Sequence, residues 1–513
     1  MEEQLVQSLV PSMLVLAPMV ASVLVYMLGT KYAAARNGVV LTTCVIAFLM
    51  CASLYPSVSA GVVVESSLAE VIAPFGIHFR VDILSFFVAF IAATIWLLVT
   101  VYSLGYMRKE HDQTRYYAFF LLTLSGALGT FIAGDLFTLF LFFEIMGLPA
   151  YVLVIHDQTP QAMQAGLKYL IMTIAGSLAF FFGLLATHEL TGTLSIAQPG
   201  IITEASPLAL YAFIAFVAAF GMKAGMVPLH VWLSDAHPVA PSPASALLSG
   251  VMLKTGAYGL LRVIYNVYGL EFFRTTGWAN GVLVAATVTI VLGSAVAITQ
   301  FDLKRRLAYS SIGQMGYILL GMALLTERAL VGNIFHIFTH AVVKSCLFLC
   351  AGAIIKQTGK RDIRDFIGLG YTMPITMGCF TLAALTIVGI PPMNGFISEW
   401  TLALGAFDAG KPLFAVLLLL SSLMNAVYYL PVVITAFFSP RTGGATVASQ
   451  SAAVGEDRKT RAAWWRDLLA KEAPTAMLVP MVVLAVGCIV FSLAPSNWPL
   501  RLSEMAARML FGT

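Results

Sequence analysis

Runs of about twenty mostly apolar residues recur along the whole chain, and no other feature restricts its fold so severely. A membrane-spanning helix needs roughly 20 such residues. About fourteen windows of this kind begin near Pro11, Gly38, Ile83, Tyr116, Leu136, Gly166, Pro207, Ala244, Ala279, Leu307, Ile334, Thr376, Leu413 and Ala476. In hydrocarbon every backbone N–H and C=O must be paired within the protein, which leaves only helices and closed barrels. Barrel strands are only about 10 residues long. The expected fold is therefore an all-α polytopic membrane protein with about fourteen transmembrane helices. Composition agrees: of 513 residues, 59% are hydrophobic and 11% charged, where soluble domains carry about 25% charge. The net charge of +4 is too small to point to nucleic acid. The chain starts MEEQLVQSLV, acidic where a cleavable signal is basic, so the first window is expected to remain as a helix. All six cysteines lie in apolar windows without a CxxC pair, as small buried hydrophobes do. Neither a metal nor a cofactor is expected.

Lysine and arginine fall unevenly between the two sides. With an even number of helices both termini share one side. The odd-numbered loops then carry eighteen basic residues, among them Arg108, Lys109, Arg115, Lys304, Arg305, Arg306, Lys356 and Arg361. The other side holds seven: Arg80, Arg262, Arg274, Arg328, Lys411, Arg501 and Arg508. The positive-inside bias places both termini outside the cytoplasm, in the plasma membrane of a prokaryote. A polar linker is expected over 439–475, with Trp464 and Trp465 of its WWRDLL stretch anchored at the membrane surface. Fewer than twenty residues follow the last window.

Four lysines belong to neither side: Lys168, Lys223, Lys254 and Lys344. A charge at the bilayer centre costs at least about 2.5–3.5 kcal/mol, so such a residue is expected to be functional. Lys223, Lys254 and Lys344 lie deep in their windows. Lys168 sits near its helix end, where snorkelling or a local ion pair competes with a functional role. The complementary acids are Glu144, midway along LFTLFLFFEIMGLPAYVLVI, and Glu399, which follows GIPPMNGFIS. A buried glutamate and lysine hold each other charged, and a pair that opens leaves the lysine ready to give up its proton. Asp135 reads better as a helix N-cap.

His336, His340 and Lys344 are spaced i, i+4, i+8, within an arc of about 80° and at ~6 Å intervals. Titratable groups stacked in this way suit a water-bridged proton relay. Two helices contain breaks: VPLHVWLSDAHPVAPSPAS follows Lys223, and GIPPMNGFISEW holds Glu399. Proline interrupts the hydrogen-bond ladder, and inside a membrane such breaks line cavities. Interrupted helices in corresponding positions of two halves mark an ion path. Here they are helices 7 and 12.

At these residues the chain resembles a known family: the antiporter-like membrane subunits of respiratory complex I, Mrp-type cation/proton antiporters and membrane-bound hydrogenases. The resemblance is carried by KAGMVPLHVWLSDAHPVAPSPASALLSGVMLKTGAYGLLR, with VDILSFF at Asp82, FFEIMGLPAY at Glu144, LKRRLAYSSIGQMGYI after Lys304, and HAVVKSCLFLCAG. Ser234 departs from it, because the family usually has proline before Asp235. The resemblance implies two inverted five-helix repeats, 116–262 and 279–438, after N-terminal helices in 1–115 and before a last helix and tail in 476–513. It implies that Glu144 and Lys223 pair in the first half-channel and that Lys254 leads to the centre. His336, His340 and Lys344 form the central relay, and Glu399 the exit. His230, Asp235 and His237 in the signature are supporting positions, with Lys168 and Asp135.

The function so expected is a proton- or Na+/H+-translocating subunit of a multi-subunit membrane complex, whose partners are other membrane subunits, some of them homologous. The rival within this class is a D-type subunit of an Mrp-type Na+/H+ antiporter, as against a redox-driven pump. The rival from another class is a quinone-binding or structural membrane subunit of an oxidoreductase. Whether the chain belongs to an enzyme stays open, because no redox centre of its own is legible. The short tail argues against the distal complex I-type subunit.

Overall fold

Helices occupy the apolar windows in the computed structural model, which describes residues 4–72, 75–439, 471–493 and 498–512. In chain order they are α1 (Val10–Leu28), α2 (Ala33–Ser53), α3 (Ile83–Tyr106), α4 (Gln113–Phe131), α5 (Leu136–Val154), α6 (Pro160–Thr191) and α7 (Pro207–Ala224). Next come α8 (Val231–Val239), α9 (Ser242–Tyr268), α10 (Ala279–Thr299), α11 (Leu303–Ala323) and α12 (Glu327–Thr358). The last are α13 (Pro374–Val388), α14 (Asn394–Asp408), α15 (Leu413–Phe437), α16 (Thr475–Leu493) and α17 (Pro499–Phe511). Among the described residues, eleven helices are long and apolar enough to cross a membrane. The other three expected windows hold α4, α11 and the shorter pair α13 and α14.

Two helices are enclosed on every side, and they carry the central charges. The apolar windows of α9 and α12 are buried throughout. α12 packs against α3, α9, α11, α13, α14, α16 and α17. A helix apolar on all faces belongs in such a place, and polar groups set into it are kept from lipid. Gly256 of α9 makes the contact with α7 close: a Cβ there would lie 2.5 Å from Phe220 O.

The expected breaks are present. α7 ends at Gly225 and α13 at Gly389, both left-handed with φ of +75° and +79°, a conformation that glycine adopts without strain. Carbonyls freed by each break find donors. Trp232 Nε1 reaches Met222 O at 2.9 Å beyond α7, and Asn425 Nδ2 reaches Ile387 O at 3.2 Å beyond α13. This satisfies backbone groups that hydrocarbon cannot.

The chain is mostly helical, as expected, and a few short strands stand beside the helices. A small sheet joins β1 (Gln4–Gln7), β2 (Val62–Ile72) and β3 (Phe75–Val81), with β1 parallel and β3 antiparallel to β2. These strands lie outside the apolar windows, where strand edges are tolerated as they are not in lipid. Glu65 faces Arg80 across β2 and β3, and the two form an ion pair at 2.5 Å. Trp464 and Trp465 of the linker lie outside the described residues. Glu472 at the linker's end accepts from Ile375 N at 2.6 Å and from Thr376 Oγ1 at 2.8 Å, capping the start of α13 with the charge that a helix N-terminus favours.

Candidate functional site

Each deep lysine sits at the end of a polar side-chain path. Lys223, in the last turn of α7, donates to Tyr169 OH at 2.9 Å. That hydroxyl in turn donates to Gly147 O at 2.9 Å, so α6 bridges α7 to α5. Glu144, three residues before Gly147, is half-buried and accepts from Ser177 Oγ of α6. Among the described residues no ion pair joins Glu144 to Lys223, although Lys223 Nζ stands 5.6 Å from the ring of Phe143.

The centre is drawn together more tightly. Lys254 Nζ lies 2.8 Å from His340 Nδ1 and 2.5 Å from Ser249 O. Ser249 belongs to a π turn, Leu248–Met252, within α9, a distortion frequent at functional sites. The rings of His340 and His336 stack with centroids 6.1 Å apart, and His336 Nδ1 is 2.9 Å from Ser398 Oγ on α14. Ser398 itself donates to Gly395 O at 2.8 Å, so its oxygen accepts and His336 carries its hydrogen on Nδ1. His340, which accepts from the Lys254 ammonium through Nδ1, carries its hydrogen on Nε2. Both Nε2 atoms are buried without a partner among the described residues. One is a donor and one an acceptor, the pair that a bridging water needs.

Lys344 does not continue the histidine line through a direct hydrogen bond. It donates to Ser310 Oγ at 2.7 Å, Tyr429 OH at 3.0 Å and Leu307 O at 3.2 Å, a neutral cage between α11 and α15. Glu399 follows Ser398 on α14 and accepts from Ser422 Oγ at 2.5 Å through Oε2, while Oε1 has no partner among the described residues. Gly389 makes room for this carboxylate, since a Cβ there would lie 2.5 Å from Oε2.

The supporting positions divide. Lys168 and Arg305 both pair with Asp235, and the Lys168 side chain is 46% exposed, which is the local ion pair. Asp135 caps α5, accepting from Thr138 N at 2.7 Å. His230 lies at the edge of the core beside Tyr309. His237 is fully buried, stacks on Phe348 at 4.4 Å, and has no hydrogen-bond partner on either ring nitrogen among the described residues.

A further buried charge pair went unread in the sequence. Arg262, counted there with the loop residues, is buried in the second half of α9 and grips Asp82 with distances of 2.6 and 2.7 Å. Asp82 also caps α3 through Ser85 N at 2.8 Å. The partners are far apart in the chain, so only their shared place at window ends hinted at a contact. The hydroxyls of Tyr169, Ser310 and Tyr429 gave no signal, because hydroxyl side chains are common in apolar helices.

Broken helices with charged side chains held inside the core, joined across the centre by a lysine and a histidine pair, define a polytopic antiporter-like membrane protein. The family described as "NADH:quinone oxidoreductase/Mrp antiporter, TM" matches over residues 133–425, and "NADH-Ubiquinone oxidoreductase (complex I), chain 5 N-terminus" matches over residues 73–117. The chain belongs to this NADH:quinone oxidoreductase/Mrp antiporter family. It is similar to the N-type subunit of the NADH-quinone oxidoreductase of Desulforudis audaxviator, with 36% identity over 82% of each chain. It is also similar to the D-type subunit of the Na(+)/H(+) antiporter of Alkalihalophilus pseudofirmus, with 32% identity over 71% of this chain and 74% of that one. Among solved structures, an archaeal membrane-bound sulfane sulfur reductase superposes with a TM-score of 0.84 at 25% identity, covering 98% of both chains. The Mrp complex of Dietzia sp. DQ12-45-1b gives 0.83 at 26% identity, covering 98% of this chain and 97% of that one.

Proposed function

We propose that the chain moves protons through a line of buried groups from Glu144 and Lys223, through Lys254, His340 and His336, towards Glu399, as one subunit of a multi-subunit membrane complex. The observation that carries this reading is the 2.8 Å contact between Lys254 and His340, because it joins residues of the two proposed repeats. Helix lengths support those repeats: α4, α5 and α6 span 19, 19 and 32 residues, and α10, α11 and α12 span 21, 21 and 32. Each set is followed by a broken helix.

The tautomers suggest how the relay works. A proton passed from Lys254 to His340 Nδ1 releases the one on Nε2 to the Nε2 lone pair of His336. That ring then yields its Nδ1 proton towards Ser398 and the neighbouring Glu399. Lys344, held by hydroxyls, sets the charge beside this line and is proposed to bias it. Glu144 is half-buried on a lipid-facing flank that also exposes Leu167, Ile171, Ile174 and Leu178. A carboxylate is costly in lipid, which supports a neighbouring membrane protein of the complex covering it. Both termini are proposed to lie outside the cytoplasm. Contacts such as Arg361–Asp302 and Lys356–Glu110 on one face, and Arg328–Asp408 on the other, support the loop assignment behind this.

Proton uptake by vesicles containing the complex tests the reading. Lys223→Ala and Glu399→Gln each stop uptake while the complex still assembles, and full uptake with either change sinks the role of that residue. A sodium requirement for the pH change would assign the transport to Na+/H+ exchange.

A further inference from the structure

A second cluster of titratable side chains lies outside the buried line. His111 precedes α4, and His156 and Asp157 stand in the turn between α5 and α6. One ligand atom from each of the three lies within 4.8 Å of the other two. The His111 and His156 rings are parallel to within 2° at a centroid distance of 4.9 Å. His156 is 1% exposed, and its Nε2 is buried without a hydrogen-bond partner among the described residues. A fully buried imidazole with an unpaired nitrogen is costly, and nothing in the translocation path uses it.

We propose that His111, His156 and Asp157 form a binding site for a divalent transition-metal ion of the Zn2+ class. Two imidazoles and a carboxylate, with water in a fourth position, are a donor set zinc takes. Zinc ligands stand about 2.0–2.2 Å from the metal, so the three atoms must draw together by roughly an ångström. His111 and Asp157 are exposed side chains with the freedom to do this around the fixed His156, and the His111 ring must also turn out of its stack so that both in-plane lone pairs point at one ion. Burial first, then the nearby His111 and Arg115, pull His156 down to about 4, so it offers a neutral lone pair at neutral pH. The charges facing the site include Glu110, which is paired with Lys356, and Asp112, which is paired with Arg115 and lies 3.2 Å from His111 Nδ1, leaving the other His111 nitrogen for the ion. The bound ion bridges the turn before α4 to the turn before α6, three residues ahead of Pro160.

The test is metal binding by the purified full chain, without reference to transport. Added Zn2+ is expected to bind at one ion per chain, and His111→Ala or Asp157→Asn to weaken it at least about tenfold. Both changes are at exposed positions, so folding is preserved even where His156→Gln disturbs it. With Cu2+ as probe, electron paramagnetic resonance is expected to show two coordinated nitrogens, falling to one in H111A. An affinity unchanged in both exposed variants, or a copper spectrum the same in H111A as in the parent, overturns the site.

Discussion

Replacing Lys254 by methionine separates a relay role from a packing role. The ammonium makes two buried hydrogen bonds, to Ser249 O at 2.5 Å and His340 Nδ1 at 2.8 Å. Removing it strands both acceptors, at about 1–3 kcal/mol each. It also removes an ion whose burial costs several kcal/mol, and methionine fills much the same volume. These effects oppose each other, so thermal stability and assembly are expected to change little. Transport responds differently. Among the described residues Lys254 is the hydrogen-bonding partner of the His340 ring, so its loss removes the proton donor at the junction of the two halves. Loss of a positioned acid–base group typically costs 10²–10⁴-fold, which at 1.36 kcal/mol per decade is about 3–5 kcal/mol of barrier. Initial rates of acidification in vesicles, normalised to assembled complex, are therefore expected to fall at least about a hundredfold. Lys254→Gln can still donate to His340 but cannot carry the proton, so it is expected to be as inactive as the methionine variant. Transport by either variant above roughly a tenth of the parent rate, a loss of less than 1.4 kcal/mol, refutes the relay.

Asp82→Ala leaves Arg262 buried without its partner and is expected to destabilise the chain by about 3–5 kcal/mol, read as a lower melting temperature in detergent. Adding Arg262→Met to it is expected to recover most of that loss. Burial pushes the Asp82 carboxyl up, but Arg262, Ser85 N–H and Arg80 outweigh it and hold the group below its ordinary 3.8. A depressed carboxyl stabilises above the unfolded value and loses that stabilisation as pH falls through the folded one. The gap in melting temperature between the parent and Asp82→Asn is therefore full near neutrality and closes below pH 3.8; a gap independent of pH refutes this. Gly389→Ala puts a methyl group 2.5 Å from Glu399 Oε2 at a φ of +79°, and is expected to cut transport through displacement of the carboxylate. Unchanged transport in that variant refutes the proposed fit of Glu399 against the break.

The helical class, the two breaks, the six proposed path residues and Lys344 were legible because each depends on local sequence. An apolar window needs only its own residues, and GMVP and GIPP write their glycine and proline into the chain. The buried lysines stood out because hydrocarbon makes an ordinary residue type exceptional. The strands β2 and β3 were missed, since a short antiparallel strand pair is invisible to a search for long apolar runs. Arg262 was misplaced because a basic residue near a window end reads like any loop arginine until its distant aspartate is known.

Sequence by itself determined that the chain lies in a membrane as helices and that Lys223, Lys254, Lys344, Glu144 and Glu399 are buried charges needing an explanation. The i, i+4 spacing of His336 and His340 also follows from helix geometry alone. Tertiary structure decided which of these charges meet. It set Lys254 against His340 across the two proposed halves, gave Lys223 to Tyr169 and Glu144 to Ser177 in place of each other, and enclosed Lys344 in hydroxyls. The physical reason is range. Backbone hydrogen bonding and lipid exclusion act residue by residue along the chain. A hydrogen bond between side chains 86 positions apart depends on how whole helices pack.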